Sequence, residues 1–507
     1  VLKCAQTLGH ARAEQRNHHS LFITHSMATK RAIEDAFAAT DPERSFLVER
    51  SSAHQSVTIT TLQDWCAAEL GRGIAEVEFL DRDAMESKEL QLLYVSEALG
   101  EALSKDLESH RPFLSEAFVE FLRKEDEWCL AEMFQHEIAV VVKGRAGENL
   151  DRYRELPPIK YNLPLSTADD RGFVFVVYQN YQRRLAGAAQ FDTDDITLSA
   201  MAQLDTPIWR RRRAREGFDS IFVDETHLFN INELSVIHFL SVDPSSSPIC
   251  FSVDRSQAVG DRGLDGDMLA RGILGGGGEH IPATTKMQSI FRCSPDIVSL
   301  AFTVTSAGAT LFTTFENPLE LAASAFTASE EEKCSAPVYL TSPNDDALIR
   351  DALAQAERME KSLNTGRSSI AIVLFSRELF SKFEELTRST NRSVELLKQR
   401  GDVEVVNRAR AHSRFVVAAP DYVGGLEFDG VVLVGVDKGR VPPKEGSVAT
   451  ESRHFLKFAS HNHLYVAITR ARFQIALLGT TERGPSELLD AAFASGILPA
   501  PVPSPSR

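Results

Sequence analysis

The sequence predicts an α/β protein built on two parallel sheets covered by helices, the first interrupted by a helical insertion. Three observations carry this expectation. Short β-branched and apolar runs alternate with helical segments at both ends of the chain, as in parallel sheets with crossover helices. Between about Glu76 and Gln190 the pattern becomes long, charged, amphipathic helices. Two later runs, Ser220-Ile-Phe-Val-Asp224 and Ile249-Cys-Phe-Ser-Val-Asp254, are apolar and end on carboxylates, at the strand end where open α/β sheets bind ligands.

Element by element, Val1-Leu-Lys-Cys-Ala-Gln-Thr-Leu8 reads as a helix already under way, without an initiator methionine or signal peptide, so the chain is expected to lack its natural beginning. Strand Ser20–Thr24 is followed by a helix from about Ala28 to Ala38, and strand Val57–Thr61 by a helix over Leu62–Leu70. The insertion is expected to hold helices Glu86–Leu107 and Pro112–Phe134. After the glycine run Gly275-Gly-Gly-Gly278 come strands Ala336–Leu340, Ser369–Leu374, Ser413–Ala418, Gly430–Val434 and Gln474–Leu478. The tail Leu498–Ser506 is so rich in proline that disorder is expected. The domains are therefore drawn at 1–75 plus 190–285, 76–189 (the insertion), 286–483, and 484–507 (the tail).

A length of 507 residues suggests roughly two to four domains. The 43% hydrophobic and 25% charged fractions are those of a soluble globular protein, and no apolar run reaches the roughly 18 residues of a membrane span. Six scattered cysteines without a C-x-x-C pair point to a reducing cytoplasm and not to disulfides or zinc. A net charge of −16 disfavours broad coating of nucleic acid but leaves room for a narrow basic channel. The run Arg210-Arg-Arg-Arg213 with Arg215 is read first as a solvated helix end, with a phosphate-contacting strip as the alternative.

The segments Tyr422-Val-Gly-Gly-Leu-Glu-Phe-Asp429 and Leu464-Tyr-Val-Ala-Ile-Thr-Arg-Ala-Arg472 resemble motifs V and VI of the superfamily 1 helicases, the UvrD/Rep-like ATP-driven DNA motors. The resemblance implies two RecA-like parallel-sheet P-loop NTPase domains with ATP and Mg²⁺ between them. Further matches follow in the family's order. Phe218-Asp-Ser-Ile-Phe-Val-Asp-Glu-Thr-His227 resembles motif II: Asp224 would hold Mg²⁺, Glu225 would deprotonate the attacking water, and His227 stands where glutamine is usual. Ser252-Val-Asp-Arg-Ser-Gln257 resembles motif III, with Gln257 sensing the γ-phosphate and Asp254 fixing the loop. In Met287-Gln-Ser-Ile-Phe-Arg292, similar to motif IV, Phe291 would stack on adenine and Arg292 would reach the γ-phosphate.

In motif V, Glu427 would accept from the ribose hydroxyls, and Gly424 and Gly425 allow close backbone approach. Ala419 and Gly424 stand where the family has threonine and lysine, which removes polar contacts. Arg470 matches an arginine finger, expected in the N-terminal part of a helix beginning near His463. On the nucleic-acid side, segments similar to motifs Ia and Ib contribute His25, Thr61 and Trp65, with Trp65 read first as core and a stacking platform as the alternative. Gln190-Phe-Asp-Thr-Asp-Asp-Ile196 resembles the segment that returns the chain from the insertion to the first sheet.

No G-x-x-x-x-G-K-[ST] occurs. The simplest account is a chain starting just after a phosphate loop, the alternative a degenerate, non-hydrolysing relative. Alone, the chain is expected to bind and hydrolyse ATP poorly. The short stretch between Arg292 and Gly425 predicts that the accessory subdomain is absent or reduced. The implied activity is a cytoplasmic helicase or translocase on single-stranded or partly duplex DNA, moving 3′-to-5′ by family analogy. Protein partners in repair or defence are implied and no membrane is involved. The rival is a regulatory DNA-binding protein.

Overall fold

Leu21 and Ile23 pack into one buried cluster and Phe22, between them, into another, because successive side chains of a strand face opposite sides of its sheet. That double burial is what a parallel sheet covered on both faces demands. In the computed structural model the described residues are 1–71, 79–81, 83–156, 163–243, 248–253, 289–290, 293–307, 323–324, 326–389, 394–443 and 450–505. Two units divide the chain, Val1–Ile281 and Pro282–Arg507.

The first unit contains strands β1 (His18–Thr24), β2 (Gln55–Thr61), β3 (Phe79–Leu80), β4 (Phe191–Asp192), β5 (Ser220–Val223) and β6 (Ile249–Phe251). Its sheet runs β2-β1-β5-β6, all parallel, while β3 and β4 form a separate parallel pair at the two ends of the insertion. On one face Leu21, Ile23, Ile221 and Val223 pack with Leu62, Cys66, Ile196 and Leu234. On the other, Phe22 stacks on Phe222 at 6.1 Å among Cys4, Leu8, Phe37 and Val57.

The insertion packs helix Met85–Lys105 against helices Glu127–Glu137 and Ala168–Gly187. The single helix expected over Pro112–Phe134 is two, Glu116–Lys124 and Glu127–Glu137. The Ser115 side chain accepts from Phe118 N, and Asp126 accepts from Trp128 N and Cys129 N. Each is a side-chain cap that favours a new helix start over continuation. Likewise the helix expected to reach Leu107 ends at Lys105, and Leu107 opens a short helix of its own, Leu107–His110.

In the second unit a short parallel pair, β7 (Ser289–Ile290) and β8 (Ala323–Ser324), precedes a seven-stranded parallel sheet. Its strands are β9 (Val338–Ser342), β10 (Ile370–Leu374), β11 (Val394–Leu396), β12 (Phe415–Ala418), β13 (Phe428–Val434), β14 (Ala471–Thr480) and β15 (Val502–Pro503), in the order β11-β12-β10-β13-β14-β9-β15. Helix Asp345–Leu363 lays Leu348, Ala352, Ala356 and Met359 over one face with Ile372, Val432 and Leu478. Helices Pro295–Ala307 and Thr450–Ile468 pack together and against β14.

The proline-rich tail, expected to be disordered, instead supplies β15, which pairs with Leu340 and Thr341 of β9. Ser504 N donates to Thr341 O at 2.9 Å, and Thr341 Oγ1 to Val502 O at 3.4 Å. An edge position accepts Pro503 because the missing N–H leaves no ladder bond unmade inside the sheet. Among the described residues no helix is long and apolar enough to cross a membrane.

Candidate functional site

Strand β5 ends at Val223 and delivers Asp224 and Glu225 at the carboxyl edge of the first sheet, with Asp224 N donating to Ile23 O at 3.1 Å. Ser252, just beyond β6, holds this edge together. Its hydroxyl donates to Asp224 Oδ1 at 2.8 Å and accepts from Glu225 N at 3.1 Å. Its backbone takes part as well, Ser252 N donating to Val223 O at 3.0 Å and Thr226 N to Ser252 O at 2.8 Å.

Glu225 adopts a left-handed conformation, φ 50 and ψ 45, a region that L-residues with a Cβ enter at a cost. The turn brings Glu225 Oε2 to 3.0 Å from Nε2 of the buried His227. Asp224 could hold Mg²⁺, which keeps waters and takes substrate phosphates as further ligands.

The three nucleic-acid candidates have structural partners in the first unit. His25 is buried, its Nδ1 2.8 Å from Asp83 Oδ2 and its ring edge-on to Phe229 at 5.2 Å. Thr61, also buried, caps helix Leu62–Glu69 by accepting from Asp64 N at 3.0 Å. Trp65 packs edge-on to Trp209 at 6.0 Å beside the sheet core, so of its two readings the core one matches the geometry.

The basic run lies on helix Pro207–Glu216. Arg212 pairs with Glu69 and Glu216, Arg210 with Asp205 and Arg215 with Glu216. Arg50 donates to the carbonyls of Arg215, Glu216 and Gly217 at that helix's end. Three of the run's cations, Arg210, Arg212 and Arg215, thus have carboxylate partners, which matches the solvated-face reading.

Where the insertion returns to the sheet, the Lys143 ammonium is buried 2.6 Å from both Asp192 Oδ2 and Asp195 Oδ1. Asp192 also accepts from Tyr181 Oη at 3.0 Å and from the backbone of Asp194 and Asp195. Burial and the neighbouring Asp192 push the Asp195 carboxyl up to about 6, with Lys143 pulling the other way. Burial alone depresses an ammonium, but the two carboxylates outweigh it and hold Lys143 above its ordinary value. This cluster joins the segment similar to the family's return motif to the end of the π-helical turn Ile138–Lys143.

In the second unit, Gly425 has φ 82, which favours glycine, and is exposed like Glu427 two residues on. Arg470 differs from expectation. The helix runs Thr450–Ile468, so Arg470 follows the C-terminus of a long helix and does not lie near the start of a new one. Apart from His463, every residue from Ser460 to Ile468 is buried, polar Ser460, His461 and Asn462 included, which carries the helix through that position. The side chain is buried at 1% exposure. It donates from Nε to Val466 O at 3.0 Å, from Nη1 to Leu426 O at 3.4 Å and from Nη2 to Thr469 Oγ1 at 3.0 Å.

Asp254, Gln257, Phe291 and Arg292 lie outside the described residues. Sequence reasoning gave no role to Ser252, Asp83, Arg400 or the Arg440 guanidinium, which bridges Asp345 and Asp437. Apart from the Arg440–Asp437 contact, which spans three residues, these contacts join residues far apart in the sequence.

Two helix-covered, all-parallel α/β sheets, the first with a helical insertion, are the architecture expected of RecA-like domains. No family model matches the chain and no curated protein matches it. Among solved structures, the C-terminal domain of a possible DNA helicase from Lactobacillus plantarum WCFS1 is similar at 17% identity. It covers 42% of this chain and 98% of its own, with a TM-score of 0.26, too low to carry an argument.

Proposed function

We propose that this chain belongs to an ATP-driven motor on nucleic acid. It would couple hydrolysis to movement along single-stranded DNA, 3′-to-5′, and to strand separation or remodelling. One observation carries the reading: adjacent carboxylates, Asp224 and Glu225, stand at the carboxyl edge of a parallel sheet, with the Ser252 hydroxyl bonded to the Asp224 carboxylate and to the Glu225 backbone N–H. Asp224 would take Mg²⁺, whose charge would offset that developing on the transferred phosphoryl group. Glu225, turned out of the strand line by its left-handed backbone, would accept the proton of the attacking water. His227 would hold the Glu225 carboxylate in place. Glu427, with Gly425 before it, would receive the ribose hydroxyls. Gln257, Arg292 and Phe291 keep the roles that the resemblance implies.

A second reading rests on Arg470. Its guanidinium is engaged with carbonyls of its own unit, as suits a DNA-binding protein that does not hydrolyse nucleotide. Phosphate release stimulated by single-stranded DNA separates the two, measured on the full-length protein. The motor reading expects release that Glu225→Gln abolishes; release unchanged in that variant refutes the catalytic assignment. DNA binding without any release favours the second reading. Single-stranded RNA of matched length tests the choice of nucleic acid.

A further inference from the structure

Ser252 bonds to each of four consecutive residues at the end of the neighbouring strand. Its N–H donates to Val223 O at 3.0 Å, and its carbonyl accepts from Thr226 N at 2.8 Å. Between them, its hydroxyl donates to Asp224 Oδ1 at 2.8 Å and accepts from Glu225 N at 3.1 Å. The hydroxyl enters because the ladder slips. Bonds between parallel strands are evenly spaced, recurring at every second residue. Ile221 N donates to Pro248 O at 3.1 Å, so by the same spacing Glu225 N is due at Ser252 O. It goes to the Ser252 hydroxyl instead, and Thr226 N takes the carbonyl. One extra residue has been fitted in, as in a β-bulge, which re-aims a side chain.

Glu225 is the residue that absorbs the slip, through its left-handed φ 50 and ψ 45. Without a hydroxyl at position 252, the regular ladder is the arrangement that satisfies the Glu225 amide, and that arrangement removes the turn. The same hydroxyl orients Asp224. Its proton is committed to Oδ1, which leaves Oδ2 as the oxygen to face a cation. Hydrogen bonds of this kind fix the direction of metal-binding carboxylates and tune their affinity. Ser252 is itself exposed, so it carries no share of the core.

From this we infer that Ser252 is a positioning residue for the proposed hydrolysis. Its one hydroxyl sets both the oxygen that Asp224 offers to Mg²⁺ and the turn that presents Glu225. The inference rests on the proposed function and adds a residue to it.

Full-length protein carrying Ser252→Ala or Ser252→Thr is compared with wild type. Binding of Mn²⁺ with a non-hydrolysable ATP analogue is read by electron paramagnetic resonance. Phosphate release stimulated by single-stranded DNA, at saturating Mg²⁺, gives kcat and KM, and a thermal melt is recorded for each variant. In Ser252→Ala, Mn²⁺ binding should weaken and kcat should fall, each roughly tenfold, with the KM for ATP and the melt close to wild type. Ser252→Thr keeps the hydroxyl and should recover both. Mn²⁺ binding and kcat unchanged in Ser252→Ala overturn the inference and leave the proposed function standing. So does a loss that Ser252→Thr shares in full, or one that tracks a lowered melt, since either marks a packing role. Wild-type protein that neither binds Mn²⁺ nor releases phosphate refutes the proposed function, and the inference with it.

Discussion

The Arg470 guanidinium donates to the Leu426 carbonyl, Nη1 to oxygen 3.4 Å, and thereby pins the end of helix Thr450–Ile468 to the turn that presents Glu427. The Arg470 carbonyl accepts from Phe428 N at 2.9 Å, so both ends of the residue hold the same turn. The two segments that stand out most in the sequence are thus one packed unit.

Replacing this arginine with an apolar side chain of similar length, Arg470→Met, removes the guanidinium donor from the buried Leu426 carbonyl, while Val466 O keeps the Thr469 hydroxyl at 3.0 Å. Unsatisfied buried polar groups cost about 1–3 kcal/mol, so the denaturant midpoint should fall by a corresponding amount. A midpoint equal to wild type would mean that the guanidinium is not bonded there in solution.

Glu225 carries its Cβ in the left-handed region. Glycine relieves that strain and alanine does not, while both lose the carboxylate, so comparing the two cancels the lost His227 contact. Glu225→Gly should therefore exceed Glu225→Ala in stability by about 1 kcal/mol. Equal thermal stabilities would show that the backbone there is not left-handed.

Asp195 has a raised folded-state value, about 6 against an ordinary 3.8. Its contribution to stability is therefore full below the ordinary value and lost as pH rises through about 6. The stability of wild type relative to Asp195→Asn should drop, on the order of 2 kcal/mol, between pH 4 and about pH 7. Denaturant titrations of both proteins across that range check the sign; a difference that stays flat with pH refutes it.

His461 is buried, with Nδ1 3.1 Å from the Val304 carbonyl. Burial first, then Lys457, lowers it from 6.5 to about 4. A depressed value contributes stability above the ordinary value and loses it as pH falls through the folded one. Amide exchange in helix Thr450–Ile468 should accelerate, after correction for intrinsic rates, as pH falls from about 6.5 toward 4. Corrected rates that do not change would remove the imidazole as the cause.

Much of the architecture was legible in the sequence. Core strands such as Ser220–Val223 and Ile370–Leu374 are continuous apolar runs because both faces are buried, and that burial is a local signal. The Asp224–Glu225 pair was legible for the same reason, since an apolar strand ending on charge marks the sheet edge. Less was legible where a polar residue redirected the chain. Ser115 and Asp126 each start a helix inside what reads as one amphipathic stretch, and the prolines near Val502 conceal an edge strand.

What the sequence determined by itself was the alternation of strands and helices and the residue types at the strand ends, because burial and capping act within a few residues. The tertiary structure alone decided the partners: Ser252 on Asp224, Asp83 on His25, Lys143 between Asp192 and Asp195, and Arg400 over Gly424. Most of these pairs join residues far apart along the chain, and nothing in the local order of residues encodes which distant group will arrive. The same physics turned Arg470 inward. A cation at the end of a helix finds unsatisfied carbonyls there, and the fold brought the Leu426 carbonyl within its reach.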